Sequence, residues 1–137
     1  MSTIDLTRER ALAIDKIRGE AFDFTAKYYA VAELRNIAEK NPEILNGETV
    51  STLEKLMGYA GFARQRQGFF LFREAANALG ALITHCNDIE KSENVLSAFK
   101  RILASVSNHA HRAAAEALGS LPISVKGPRS PQLKSDR

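Results

Sequence analysis

Cysteine and long apolar runs are both scarce in this sequence, and each scarcity excludes a class of protein. Cys86 is the only cysteine among 137 residues, so no disulfide can form within the chain and one thiol is too few for a cysteine-based metal site. The longest strongly apolar block, GFFLF at 68–72, ends at Arg73 and Glu74. Because a membrane-spanning helix needs about 20 apolar residues, we predict no membrane partner.

A secretory signal and β-strand patterns are missing as well. The first residues, MSTIDLTRER, mix acidic and basic side chains where a signal would have a continuous apolar stretch, so we expect a cytoplasmic protein. No alternating run of β-branched residues lies between turn signals. With 45% hydrophobic and 26% charged residues, the composition is that of a soluble globular domain. The sequence predicts one all-α domain over residues 1–122.

The net positive charge is confined to the end of the chain. Residues 123–137 hold four basic residues and one acidic residue, which accounts for the whole formal charge of +3. This segment also contains two prolines and a glycine, and it has too little apolar surface to offset its ordering entropy. We predict a disordered basic tail at 123–137 that folding does not need.

Two ten-residue segments nearly repeat each other. REAANALGAL at 73–82 and RAAAEALGSL at 112–121 match at seven of ten positions with an offset of 39 residues. Gly80 and Gly119 fall at matching places near the expected helix ends, where a glycine either ends the helix or admits a close neighbour. Apolar residues recur at spacings of three and four, as on one face of a helix: Phe69, Phe72, Ala76, Leu79 and Ile83 in the first, and Ala114, Ala115, Leu118 and Leu121 in the second.

Each repeated segment follows another amphipathic stretch, so the pattern is a pair of helices that occurs twice. The stretch before the first has Ser51 and Glu54 at capping-box spacing, and Ser92 is the expected N-cap of the other. A third, weaker pair precedes them, with helix ends expected near Gly19 and before Pro42. A period of two helices is typical of an α-solenoid. The expected inward residues are Leu6, Ala13, Ile14 and Ile17; Val50, Leu53, Leu56 and Met57; and Val95 or Leu96, Phe99, Ile102 and Leu103.

The repeated segments resemble HEAT repeats, in particular the short alanine-rich type of phycobilisome-lyase-type proteins, whose second helix reads roughly V-R-x-A-A-x-A-L-G-x-L. The resemblance covers residues 50–121 well and 5–40 poorly. It implies a right-handed α-solenoid of about three helix pairs, an armadillo/HEAT-like superhelix whose second helices line a concave face. That family often has an aspartate four residues before the arginine, whereas this chain has Phe69 and Asn108 there. It therefore lacks the acid of an Asp–Arg ladder between repeats.

Six residues are candidates for binding a partner. By register, the concave face should present Arg73, Asn77, Arg112 and Glu116, with Tyr28, Ala32 and Arg35 as further members. The glycine-flanked stretch GFARQRQG at 61–68, interpreted as an unusually long turn, adds Arg64 and Arg66, because loops often carry function. The alternative for that stretch is a solvated connector.

Histidine and Cys86 positions do not predict a catalytic or metal site. His109 and His111 are two residues apart and point apart on a helix, so we expect exposed turn residues. His85 and Cys86 are adjacent and diverge by about 100°, so we expect a half-buried thiol at a helix end. The sequence thus predicts no catalytic residue, metal or cofactor. A group of aromatic residues either lines a ligand pocket or packs between helices: Phe22, Phe24, Tyr28 and Tyr29.

Three functions remain open, and none makes the chain an enzyme in its own right. The first is a protein-interaction or scaffold module that binds an unidentified protein on the concave face. The second is nucleic-acid binding through the tail and through 55–73 and 94–115, which hold no acidic residue; it predicts a steep salt dependence. The third is an accessory module of a larger enzyme system.

Overall fold

The structure is a computed structural model that describes residues 2–19, 23–58, 66–104 and 108–121. Within these ranges the chain is all-α, as predicted, and has no strand. It forms α1 (Thr3–Arg18), α2 (Phe24–Lys40), a 3-10 turn (Pro42–Ile44), α3 (Gly47–Met57), α4 (Arg66–His85), α5 (Ile89–Leu103) and α6 (Asn108–Gly119). The predictions for Phe22, Arg64 and the tail at 123–137 concern positions outside the described residues.

The helices form two rows. Consecutive helices pack as pairs, α1 on α2, α3 on α4 and α5 on α6. Along one row α3 contacts both α1 and α5, and along the other α4 contacts both α2 and α6. The most extensive packing is between α2 and α4. Fully buried alanines of α4, Ala75, Ala76 and Ala78, leave room for neighbouring helices because a methyl group occupies little space.

Most of the residues expected to face inward are buried. All of those expected on α3 and α4 are buried, as are Ala13, Ile14 and Ile17 of α1. On α5, Val95 is the buried residue of the predicted alternatives, whereas Leu96 is exposed. The inward prediction for Ala115 of α6 is wrong, since it is exposed between the buried Ala114 and Ala117. In an alanine-rich helix methyl groups lie on every side, so they define the buried face poorly.

Two helices begin earlier than predicted. Asn46 caps α3: its side chain accepts the Thr49 N–H at 3.1 Å, and its own N–H donates to the Thr49 hydroxyl at 3.4 Å. The predicted box at Ser51 is therefore wrong. Asp88, not Ser92, caps α5 and accepts the Lys91 N–H at 3.2 Å. The earlier starts add a helical turn, and on α3 that turn buries Thr49 and Val50.

The two repeated glycines are not equivalent. Gly119 ends α6 and is exposed, as a helix-end glycine should be. Gly80 lies buried inside α4, which continues to His85, and a Cβ there would contact Leu121 Cδ2 at 3.7 Å. At its other end α4 takes in Arg66–Gly68, so the long turn predicted at 61–68 is wrong for its last three residues. Arg66 and Gln67 have good helix propensity, and the buried Gly68 joins the core.

Candidate functional site

One face of α4 is an exposed stripe in the middle of the second row. Phe70, Arg73 and Thr84 are exposed, and Asn77 is partly exposed. Their spacings of three, four and seven residues place them on one side of the helix. Phe70 has 51% of its surface exposed, which is high for a phenylalanine. The helix therefore presents an aromatic ring beside a cation.

The Phe69 ring brings together the arginines of the two repeats. The Arg112 Cζ lies 4.6 Å from the ring centroid and the Arg73 Cζ 5.8 Å from it. Both distances permit cation–π attraction. The rings of Phe70 and His109 have their centroids 5.9 Å and 6.0 Å from that of Phe69. These five residues of α4 and α6 form what we call the Phe69 cluster.

Phe69 stands four residues before Arg73, at the position where the HEAT-like pattern often has an aspartate. An aspartate there would neutralise a nearby guanidinium and occupy its N–H groups. A ring attracts the guanidinium through its quadrupole but accepts none of the N–H groups in the guanidinium plane. Arg112 thus bridges to the neighbouring helix while keeping donors for another acceptor.

The acidic residues near the cluster leave Arg73 without a carboxylate. Among described residues Arg73 makes no ion pair, and the adjacent Glu74 binds Arg35 of α2 at 2.9 Å. Arg112 has one weak partner, Glu116, at 3.4 Å across an exposed pair. Exposed pairs of this spacing contribute about 0.3–0.5 kcal/mol. The face around Arg73 is therefore locally positive.

The structure places most of the predicted site residues on this one surface. Arg73 and Arg112 meet at the Phe69 ring, and Glu116 lies one helical turn beyond Arg112 on the same exposed side of α6. Asn77 follows Arg73 by one turn. Arg66 is exposed at the start of α4, and no described contact joins it to the cluster. The further candidates on α2, Tyr28, Ala32 and Arg35, are partly exposed, and Arg35 is neutralised by Glu74 and Glu39.

Sequence reasoning missed the aromatic part of the cluster. Phe69 was assigned to the core, which is correct for most of its surface but overlooks the ring face that meets the arginines. The pair Phe69–Phe70 was the available signal, because adjacent side chains on a helix diverge by about 100°, so one of the two rings can lie at the edge of the buried face. His109 and His111 lie inside α6, so the prediction that they are turn residues is wrong, while His111 is exposed as expected and His109 is partly exposed.

Other candidates from the sequence have structural roles. Phe24 and Tyr28 stack at 6.0 Å and pack against the core, as the packing alternative predicts, while Tyr29 is exposed. Cys86 is a half-buried thiol just after α4, as expected. No three His, Cys, Asp or Glu side chains in the described ranges lie together as a metal site would require.

A cavity of about 350 Å³ lies where α3 and α5 begin. Two of its lining cations are already engaged with the 3-10 turn. Lys91 Nζ donates to Leu45 O at 2.6 Å, and the Arg10 guanidinium donates to Ile44 O. Acidic residues, including Asp88, line the same space. These contacts hold the loop between α2 and α3 in place. The cavity lining carries both positive and negative side chains, so it does not favour a ligand of either charge.

Two titratable groups join α1 to α2. Lys27 is buried and donates to three carbonyl oxygens at the end of α1: Ile17 at 2.7 Å, Gly19 at 2.8 Å and Lys16 at 3.2 Å. Burial lowers the pKa of Lys27. A hydrogen bond with Glu9, followed by burial and the charge of Glu9, raises the pKa of Glu33. Neither residue was singled out by the sequence.

Comparison with known proteins gives no match. No protein-family model fits the chain, and neither a curated protein nor a solved structure matches it. In the described part of the chain, no helix has the length and apolar character needed to cross a membrane. Inferences about function therefore rest on the geometry of the two rows and on the Phe69 cluster.

Proposed function

We propose that this chain is a short HEAT-like α-solenoid that binds a partner protein on the surface of its second row, α2, α4 and α6. The two-row packing supports a solenoid, in which each helix pair contacts its neighbours. The Arg35–Glu74 ion pair at 2.9 Å joins α2 to α4, which are neighbours in the second row. In this arrangement the second helices line the binding face.

The Phe69 cluster is the observation that carries this proposal. Protein interfaces are enriched in aromatic residues and arginine, and arginine is among the residues that dominate binding energy. Here an exposed ring, Phe70, lies beside Arg73, which no described acid neutralises. Neither side chain is needed there to complete the core, so their combination suits a surface that another protein covers.

Nucleic-acid binding is less well supported, because the acid-free segments of the sequence are not acid-free in space. Arg101 of α5 forms a bidentate pair with Glu54 of α3 at 2.7 and 2.9 Å. Arg112 likewise has Glu116 beside it. Residues 1–122 hold equal numbers of basic and acidic residues. The accessory-module hypothesis is the case in which the bound partner is an enzyme.

Site-directed photo-crosslinking in native lysate tests the proposal. A photoreactive phenylalanine analogue replaces Phe70 in one variant and Ile89 in a control variant, since Ile89 is 77% exposed on α5 in the other row. We expect a discrete crosslinked protein from position 70 that is absent from position 89 and that disappears when Arg73→Gln is added. Equal crosslinking from both positions would overturn the proposal.

A further inference from the structure

We propose that the Phe69 cluster recognises an acidic side chain beside an apolar side chain in a peptide segment of the partner. This inference rests on the proposed function and names the chemistry of the partner. Arg73 and Arg112 would take the carboxylate, and Phe70 would take the apolar neighbour. Phe70 and Arg73 lie within one helical turn of α4, and Arg112 lies on the facing part of α6.

Arg73 and Arg112 supply the carboxylate site. The Phe69 ring attracts their positive charge but does not neutralise it, so the charge can still attract a carboxylate. A guanidinium presents its donors as a planar fork that fits the two oxygens of a carboxylate. Arg112 sits over Phe69 at 4.6 Å and gives only Nε to Glu116, at 3.4 Å. A closer, bidentate carboxylate could readily replace that weak pair. Arg73 makes no ion pair among the described residues, so it can bind a carboxylate without breaking one.

Phe70 supplies the apolar subsite. Its ring contacts that of Phe69 edge-on, with the centroids 5.9 Å apart and an interplanar angle of 61°, so the exposed Phe70 ring lies next to the ring that holds the cations. With half of its surface exposed, Phe70 can bury further area against an aliphatic or aromatic side chain. Such burial of apolar surface stabilises the complex, and it also shields the neighbouring carboxylate–arginine contact from water.

Charge around the cluster favours one carboxylate over a polyanion. Glu116 lies beside Arg112, while Glu74 and Glu39 both contact Arg35 on the α2 side. A phosphate backbone passing across this row would meet these acids after one or two contacts. A single acidic residue meets only the two arginines. We therefore assign the surface to a peptide and treat nucleic acid as an outcome of the test.

Selection from a random-peptide phage library on the immobilised full chain tests the recognition rule. We expect enriched peptides to carry Asp or Glu next to a large apolar residue. For a synthetic enriched peptide, replacing the acid by its amide should weaken binding about tenfold. Arg112→Gln should cause a similar loss. The two losses should not add, because the amide peptide and the Arg112 variant each remove the same carboxylate–arginine contact. Arg8→Gln, an equal charge change at an exposed position of α1, should leave binding unchanged.

The outcomes separate this inference from the proposed function. Peptides that lose binding with Phe70→Ser but not with acid-to-amide replacement would refute carboxylate recognition and leave a protein-binding face. Salt-sensitive binding of a 20-nucleotide single strand that is lost with Arg73→Gln, with no enriched peptide, would overturn both. No enrichment and no oligonucleotide binding counts against the inference alone, since crosslinking from position 70 tests the proposed function separately. Melting curves of each variant check that it is folded.

Discussion

Phe69 shows how one side chain can serve both the core and a surface. Only 9% of it is exposed, so most of the ring packs inside, while the remaining edge and face meet two guanidinium groups. This dual role explains why Arg112 can hold α6 against α4 and still offer donors outward. It also makes the residue's contribution measurable, because the ring and the charge can be removed one at a time.

A double-mutant cycle between Phe69→Leu and Arg112→Gln should give a coupling free energy of about 0.5–1 kcal/mol, the usual strength of an exposed cation–π contact. Leucine keeps the apolar packing and removes the ring, so the coupling isolates the interaction with the charge. Urea unfolding of the four proteins measures it. The same cycle with Arg73→Gln should give a smaller value, because Arg73 lies farther from the centroid. Zero coupling for Arg112 would mean that the stacking does not persist in solution.

Lys27 acts as an internal cap for α1. Its ammonium group satisfies three carbonyls that the helix leaves without partners at its end, and a positive charge at a helix C-terminus is favourable. Lys27→Met keeps the length of the side chain and removes the donors, so we expect a loss of about 1–3 kcal/mol in the free energy of unfolding.

The exposed Lys40 at the end of α2 provides the matched control for that substitution. Lys40→Met should cost less than about 0.5 kcal/mol, because it loses only a screened interaction with the helix end. Equal losses for the two variants in chemical denaturation would show that the buried hydrogen bonds of Lys27 add nothing to stability.

At the scale of elements, two substitutions test which residue begins α3. Asn46→Ala removes the side-chain acceptor of the Thr49 N–H, while the Asn46 N–H can still donate to the Thr49 hydroxyl, and the change should cost about 1 kcal/mol. Ser51→Ala, at the position where sequence spacing placed the box, should be neutral or slightly stabilising, because Ser51 lies exposed inside the helix and alanine has the higher helix propensity. Thermal melts of both variants decide the point. The reverse order of effects would move the helix start to Ser51.

The contact between α1 and α2 predicts a dependence on pH through Glu33. Its pKa is raised in the folded chain by the hydrogen bond with Glu9, so the folded state favours the protonated form. The stability from this contact is present below the ordinary pKa of 4.5 and is lost as pH rises through the raised value. Once Glu33 is ionised, the neighbouring charge of Glu9 disfavours the contact.

Glu33→Gln should therefore raise the melting temperature at pH 7 and change it little at pH 4. Melts between these values measure the difference between variant and parent. Glu93→Gln, an exposed residue of α5, should change the melting temperature by the same amount at both ends of the range. A stabilisation by Glu33→Gln that does not depend on pH would contradict the explanation through the raised pKa of Glu33.

At the scale of the whole molecule, the net charge is concentrated at the end of the chain. The body up to Pro122 is neutral, and the excess of three positive charges follows it. Deleting residues 123–137, which lie outside the described residues, should leave the helical circular-dichroism signal and the melting temperature unchanged, because that segment has little apolar surface to bury. A large drop in the melting temperature would mean that the tail contributes to the folded body.

The sequence alone determined the helices and their buried faces, because both depend on residues close together in the chain. A 3.6-residue period, Gly19 and Pro42 are local signals, and they located the all-α fold and most of the core correctly. Helix starts at Asn46 and Asp88 were missed because Ser, Asn and Asp are nearly equivalent caps. Tertiary packing favours the earlier start on α3, where the extra turn buries Thr49 and Val50, whereas the extra turn of α5 leaves Ile89 exposed.

Only the tertiary structure decided which side chains meet across the helices. The sequence placed Arg73 and Arg112 at equivalent positions, but their convergence on Phe69 depends on how α4 and α6 are rotated about their axes. The same holds for Arg35 with Glu74, and for Lys27 with the last carbonyls of α1. A helix places a residue on a face, whereas a contact needs the positions of two faces at once, and those are set by the shapes of all the buried side chains packed between them.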